Sequence, residues 1–299
     1  MQLSKLPAPA AVAQGTPRLT QARAPLTCEI VAVNEFGDST SVSIPAERAL
    51  TVYVDKRELV TLMTLGAYPE LLVLGFLRNQ RLVQSAQEIE SITVDWEVGA
   101  AAIKTRQGIA DIEKKTAKRV VTTGCGQGSV FGDLMANVDR IQLPEATLTQ
   151  SQLYGIVNAI RLKESTYKSA GSVHACALFQ GEELLMFVED VGRHNAIDTI
   201  AGWMSMRSGM TSADKIFYTT GRLTSEMVIK SAQMGVPIVV SRSGITQMGH
   251  QIAQSVGLCA IGRATNKRFV CYAHPQRLKL EPGLLSRSEA GQEPRRDTV

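Results

Sequence analysis

The run Gly124-Cys125-Gly126-Gln127-Gly128 puts one thiol among residues that give it almost no side-chain cover. Glycine admits positive φ and lets backbone N–H groups approach a bound anion or persulfide. A thiol of ordinary pKa, about 8.5, is only a few per cent ionised near neutrality, so reactivity at Cys125 needs neighbouring donors or cations. The pattern therefore reads two ways: a sulfur-bearing or nucleophilic cysteine, or a glycine turn that happens to hold one. The other four cysteines, Cys28, Cys176, Cys259 and Cys271, lie in or beside apolar strand-like runs, where small thiols are ordinarily buried.

Three more segments carry chemistry-bearing side chains. Glu189-Asp190-Val191-Gly192-Arg193-His194-Asn195 stands between an apolar run and an amphipathic one, the position of a binding loop. Its alternative is structural, with Asp190 capping a helix, Arg193 paired to Glu189 and His194 satisfied in the core. Gly221-Arg222-Leu223-Thr224-Ser225-Glu226 precedes another helix, and a helix N-terminus with Arg222 suits a phosphate. An ordinary N-cap at Thr224 or Ser225 is the plainer reading. Gly262-Arg263-Ala264-Thr265-Asn266-Lys267-Arg268 holds three cations in six residues, enough to grip a pyrophosphate, or simply a solvated hairpin tip. Metal chemistry is not expected. His174-Ala175-Cys176 supplies two ligands where catalytic zinc needs about three, and no Cys-x-x-Cys pair exists. P-loop, G-x-G-x-x-G and G-x-S-x-G patterns are also absent.

The elements that must position these residues change character along the chain. Cys28–Val33, Ser41–Ile44, Leu50–Val54, Ile89–Trp96, Ala101–Lys104 and Arg119–Thr123 are short β-favouring runs, the last leading into the Cys125 loop. Tyr68–Arg78 suits a short helix with Pro69 near its start. Thr149 with Gln152 reads as a capping box opening a helix whose face is Leu153, Ile156, Val157 and Ile160. Beyond Gly171 a hairpin, Val173–Phe179 with Leu184–Val188, is followed by helices at about 194–206, 224–234 and 246–256. Strands at 215–219, 237–241, 259–262 and 269–273 interleave with them. Strand–helix alternation with short connections implies α/β layering and substantially parallel pairing, with ligand loops at the C-terminal strand ends.

With 299 residues, 44% hydrophobic and 20% charged, the chain suits a globular protein of one large or two modest domains. It has no run of about eighteen apolar residues, so no membrane span is expected. Met1–Thr27 is Ala- and Pro-rich without an apolar core and is expected to be a disordered leader, not a secretion signal. Residues 28–148 then form a β-rich domain ending in the Cys125 loop, 149–278 an α/β domain, and 279–299 a flexible tail. Lys5, Arg18 and Arg23 in the leader carry three of the four net positive charges, leaving +1 on Cys28–Leu278. That near-neutrality excludes a duplex nucleic-acid footprint but not a local anion pocket. Five scattered cysteines imply reduced thiols, as in a cytoplasm.

The segments TTGCGQGS (Thr122–Ser129), GSVHACALF (Gly171–Phe179), EDVGRHNAID (Glu189–Asp198), TGRLTSEMVIK (Thr220–Lys230) and RFVCYAHPQRL (Arg268–Leu278) together resemble the FdhD family of formate dehydrogenase accessory sulfurtransferases. The resemblance implies a cytoplasmic, homodimeric sulfur carrier. It would accept persulfide sulfur from a cysteine desulfurase on Cys125 and pass it to the molybdenum bis(molybdopterin guanine dinucleotide) cofactor of formate dehydrogenase. It implies a cytidine-deaminase-like three-layer α/β domain preceded by a smaller β-rich domain. The family's cofactor-binding segment falls on Arg263, Ala264, Thr265, Asn266, Lys267 and Arg268, with Arg193, His194 and Arg222 as further contacts and no metal ligand. Two departures stand out. Gly128 replaces a second cysteine found in many members, and Arg263–Arg268 lacks the aromatic and Pro-Gly residues usual there. The deaminase reaction itself is not implied, since His174-x-Cys176 lacks the intervening Glu and its Pro-Cys-x-x-Cys partner.

Overall fold

A computed structural model describes residues 15–110, 112, 141–207 and 209–284. Cys125 and the expected strand at Arg119–Thr123 lie outside the described residues. The fold is mixed α/β with several sheets.

The first half begins with β1 (Arg18–Leu19), followed by a separate antiparallel hairpin of β2 (Thr27–Val33) and β3 (Ser39–Pro45). Next come β4 (Arg48–Val54), β5 (Arg57–Thr64), helix α1 (Pro69–Asn79), β6 (Ile89–Asp95) and β7 (Ala100–Thr105). The strands other than the hairpin form a five-stranded sheet in the order β1-β6-β7-β4-β5. Leu50, Val52 and Val54 of β4 alternate onto its inner face, and Leu59 and Leu62 of β5 are buried with them because a bulge at Leu59 shifts the register. Between β4 and β5 the chain reverses over Asp55-Lys56, both at positive φ (47° and 71°), the backbone of a tight two-residue hairpin turn. Pro69, at the first turn of α1, loses no helical hydrogen bond there. Leu72, Val73, Phe76 and Leu77 then pack into this core.

The second half holds β8 (Leu148–Thr149), α2 (Gln150–Leu162), α3 (Thr166–Ala170), β9 (His174–Gln180), β10 (Glu183–Asp190) and α4 (Arg193–Ser205). It continues with β11 (Lys215–Thr219), α5 (Ser225–Gln233), β12 (Ile238–Ser241), α6 (Gln247–Val256), β13 (Cys259–Thr265), β14 (Arg268–Ala273) and β15 (Leu278–Lys279). Six strands form one sheet in the order β10-β9-β11-β12-β13-β14. Only β11/β12 and β12/β13 pair in parallel; the outer pairs are antiparallel, so the sheet is more mixed than strand–helix alternation suggested. The sheet is sandwiched. Cys176, Leu178, Phe217 and Val239 face α4, α5 and α6, while Ala177, Phe179, Ile216 and Val240 face α2. The expected capping box is present: Thr149 Oγ1 accepts from Gln152 N at 3.2 Å, and Gln152 Oε1 accepts from Thr149 N at 3.0 Å.

The halves meet through α1 and α4. A Cβ on Gly75 would lie 1.7 Å from Asp198 O, and one on Gly202 would lie 2.0 Å from Leu71 O, so only glycines allow the helices this close. Beside the crossing, Asn79 Nδ2 donates to Asp198 Oδ1 at 2.6 Å and Lys230 Nζ donates to Asp198 Oδ2 at 2.9 Å. Asp198 and Lys230 are 0% and 1% exposed, so each depends on the other for its charge. Asp190 ties the same seam nearer the strand ends. Its carboxylate accepts from Thr64 Oγ1, from Leu65 N at 3.2 Å, from Gly192 N at 3.0 Å and from Asn195 Nδ2 at 2.9 Å.

Both chain ends differ from expectation. The unstructured leader was expected to run to Thr27, yet Arg18–Leu19 pairs in parallel with Ser91–Ile92, and Ala22 N donates to Glu70 Oε1 at 2.7 Å. At the other end, Leu278–Lys279 pairs with Leu148–Thr149, and Glu281 N donates to Gln150 Oε1 at 2.9 Å, so the flexible tail cannot begin at residue 279. Leu148 packs with the second sheet and so belongs to that half, not to the β-rich one. These two-residue strands are held by distant partners, which local pattern does not reveal. Cys28, expected to be buried, is exposed on the β2–β3 hairpin.

Candidate functional site

Strands β10, β11, β12 and β13 run the same way, so Asp190, Thr219, Ser241 and Thr265 end along one edge of the sheet. Backbone and hydroxyl groups lace the loops leaving them. Thr220 N donates to Ala175 O at 2.9 Å, Ser241 Oγ to Gly221 O at 2.7 Å, Arg242 N to Thr219 O at 2.9 Å and Arg263 N to Ser243 O at 2.7 Å. The Gly221–Glu226 loop and the Gly262–Arg268 tip are thereby tied through the Ser241–Ser243 segment.

The basic segment is the tip of the β13–β14 hairpin. Arg263 and Asn266 take positive φ (51° and 50°), and Ala264 is buried under the tip while the other five residues are exposed. The tip separates two cavities. On one side Arg263, Lys267, Arg268 and Phe269 line a hollow of about 620 Å³ together with Tyr154, whose hydroxyl donates to Lys267 O at 3.0 Å. On the other side Ala264, Thr265 and Asn266 face a cavity of about 360 Å³. Both volumes lie within the range of small-molecule sites.

The smaller cavity combines aromatic surface with cations. Lys163 Nζ lies 5.6 Å from the Phe187 ring centroid, and the Arg242 guanidinium lies 6.0 Å from that of Tyr167. Tyr218 forms part of the wall, and burial pushes its phenol up to about 12, so it stays protonated near neutrality. Glu189 accepts from Thr166 N at 2.6 Å and Tyr167 N at 3.1 Å, holding the start of α3 and with it the Tyr167 ring at the rim. Aromatic faces next to guanidinium and ammonium groups suit a ligand with a flat ring and negative charge.

At the neighbouring end of the edge, α4 and α5 start side by side. His194 Nε2 lies 3.3 Å from Glu226 Oε2, and Lys230 Nζ lies 3.5 Å from Glu226 Oε1. His194 is thus buried against Glu226. Arg193 is different. It is 6% exposed, its side chain runs along Gly221, and its Nε has no hydrogen-bond partner among the described residues. Glu189, the partner the sequence offered it, is committed to α3. Arg222 is exposed. His174, half-buried at the start of β9, is held below its ordinary pKa by burial, with Arg193 and Arg222 adding to the effect. Cys176, two residues on, is fully buried, and burial pushes its thiol up to about 12 even though it donates to Thr219 Oγ1 at 3.4 Å. It is no nucleophile. Among the described residues no group of three His, Cys, Asp or Glu is arranged to hold a metal.

Arg193, His194, Arg222 and Arg263–Arg268 stand at the C-terminal strand ends of the second sheet; Cys125 is outside the described residues. Sequence reasoning missed Tyr167, Phe187, Tyr218 and Arg242. Arg242 lies in a loop already marked as a strand-end loop, so position alone could have flagged it. The aromatics reach the cavity only through tertiary packing.

Residues 45–279 match the model of the FdhD/NarQ family. The chain is 32% identical over 240 residues to the sulfur carrier protein FdhD of Bacillus subtilis (strain 168), covering 78% of this chain and 89% of that protein. It is 28% identical over 243 residues to the protein of the same name from Staphylococcus haemolyticus (strain JCSC1435), covering 80% and 91%. A crystal structure described as a formate dehydrogenase accessory protein from Desulfotalea psychrophila shares the fold, with a TM-score of 0.68, 24% identity, and coverage of 85% of this chain and 100% of that one. The strand-end loops of the second sheet fall inside the matched span, and the chain belongs to the FdhD/NarQ family.

Proposed function

We propose that this chain is a cytoplasmic, homodimeric sulfur carrier serving formate dehydrogenase. Cys125 takes the outer sulfur of a cysteine desulfurase persulfide and delivers it to the molybdenum bis(molybdopterin guanine dinucleotide) cofactor, held as cargo along the sheet edge. The β10–β14 sandwich is read as a cytidine-deaminase-like three-layer domain. Family membership, together with relatives named sulfur carrier proteins, supports the transfer role. The observation that carries the cargo assignment is the pairing of aromatic surface with cations at the Ala264–Asn266 cavity. Tyr167 and Phe187 offer faces to a guanine, and Lys163 and Arg242 offer charge to a pyrophosphate, with Lys267 and Arg268 on the other side of the hairpin tip.

In loading, the Cys125 thiolate attacks the outer sulfur of the donor persulfide and the donor thiolate leaves. In delivery, that sulfur passes to the acceptor and Cys125 recovers its thiolate. One thiol suffices for both steps, so Gly128 in place of a second cysteine does not bar them. Gly128 does favour a second reading, in which the chain holds the cofactor without transferring sulfur. Intact mass after incubation with a cysteine desulfurase and cysteine separates the two. A sulfur carrier gains about 32 Da, removed by reductant and absent in Cys125→Ala. No adduct while the desulfurase itself is loaded leaves the holding role.

A further inference from the structure

We propose that Cys259 and Cys271 form a thiol–disulfide exchange site at the base of the β13–β14 hairpin, in which Cys271 reacts with a low-molecular-weight disulfide and Cys259 resolves the adduct by closing an internal disulfide. The site is independent of Cys125 and of the proposed sulfur transfer.

The strand register brings the two thiols together. Ile261 pairs with Cys271, and Cys259 stands two residues before Ile261 on the same strand face, so both thiols pack on the α2 side of the sheet. Between the Ala260–Ala273 and Ile261–Cys271 pairs, β14 spends two residues on one of β13, which makes Tyr272 the extra residue of a bulge. The sulfurs lie 4.0 Å apart, a gap that must close to about 2.0 Å for a bond. β14 is the edge strand of the six-stranded sheet, and the movement falls where the bulge already interrupts its ladder.

The two thiols differ in the way exchange requires. Cys271 is half-buried, whereas Cys259 is fully buried. Hydrogen bonding with Cys259 holds the Cys271 thiol below its ordinary pKa, while contact with Cys271 and burial push Cys259 up. An accessible thiol that ionises first, backed by one that keeps its proton, is the arrangement of an attacking and a resolving cysteine.

The exchange balances without a further reactant. The Cys271 thiolate attacks one sulfur of the external disulfide, the S–S bond breaks, and the other sulfur leaves as a thiolate that takes a proton from solvent. Cys259 then gives its proton to solvent and attacks Cys271 Sγ, expelling the second thiolate. Two cysteines are oxidised and one external disulfide is reduced to two thiols. The product ties together the two strands whose tip carries Arg263–Arg268, so oxidation stiffens the base of the hairpin that presents those residues.

The test incubates the full chain with oxidised glutathione, blocks the remaining thiols with N-ethylmaleimide in denaturant, and maps the cysteines by peptide mass. The expected result is a joined pair of Cys259 and Cys271 peptides, about 2 Da lighter than the two reduced peptides together and separated by reductant. In Cys259→Ala the reaction should stop at the mixed disulfide, a gain of about 305 Da on Cys271, and in Cys271→Ala the Cys259 thiol should stay reduced. Glutathione on the exposed Cys28 shows that the oxidant is active, and maleimide on both Cys259 and Cys271 under that condition overturns the site. A lasting glutathione adduct on wild-type Cys271, or Cys271 joined to any other cysteine, overturns it as well. The wild-type map decides the matter if Cys259→Ala does not fold. None of these results bears on persulfide loading at Cys125, which the intact-mass measurement reads separately.

Discussion

The two ends of helix α4 solve the same problem in opposite ways. Along its body, most buried polar groups are matched: Asp198 holds Asn79 and Lys230, Ser205 Oγ accepts from Arg78 Nη1 at 2.6 Å, and Gly202 lets α1 approach, while Trp203 Nε1 is buried without a partner among the described residues. At its first turn Arg193 is buried with an unsatisfied Nε, and the adjacent helix starts at an uncapped Thr224. Burial is similar at both ends, so burial does not separate structure from function here. What differs is how the charged groups are matched: the Asp198 cluster is satisfied within the protein, whereas Arg193 Nε has no partner among the described residues.

That contrast can be broken by substitution. The largest effect belongs to the matched end. Lys230→Met strands the Asp198 carboxylate and should cost about 3–5 kcal/mol in urea unfolding, with most of the loss recovered in the double variant Asp198→Leu/Lys230→Met. A loss below about 1 kcal/mol for the single variant would mean that the pair does not hold α4 in place. A smaller contrast separates the two helix caps. Thr246→Ala removes a working cap and should cost about 1 kcal/mol, whereas Thr224→Ala removes none and should stay within about 0.5 kcal/mol. The reverse order would show Thr224 to be an ordinary N-cap.

The smallest effect is in pH. His174 has its folded pKa lowered, so the unfolded chain binds its proton more readily. Its contribution to stability is present above the unfolded value of about 6.5 and is lost as pH falls from there toward the folded value. Thermal midpoints of wild type and His174→Asn should therefore converge between pH 7 and pH 5. Parallel curves would show that neither burial nor the neighbouring arginines shifts His174.

Much of the second half was legible because its signals are local. The Thr149–Gln152 capping box, the 3.6-residue spacing in α2, α4, α5 and α6, and the apolar runs of β11 and β12 each lie within a dozen residues. β5 was missed because Asp55-Lys56 lacks the glycine that marks most two-residue turns. α3 was missed because five residues are too few to show a period, and its place is set by Glu189, over twenty residues away. The site divided in the same way. Loops carrying Arg193, Arg222 and Arg263–Arg268 were visible as polar breaks between apolar runs. The separation of His194 from Arg193 was not, because it depends on Glu226, a neighbour only after two strands and two helices have packed.

The two-residue ladder between Leu148–Thr149 and Leu278–Lys279 has a consequence for the order of assembly. It joins positions 130 residues apart and is backed by Arg277 Nη1 donating to Pro144 O at 2.7 Å and Ser151 N donating to Glu281 Oε2 at 2.7 Å. So few hydrogen bonds cannot offset the entropy of closing so long a loop in an unfolded chain. The ladder can form only after the six-stranded sheet has already brought its ends together. It acts as a latch on a finished sandwich, the last pairing of this half to form.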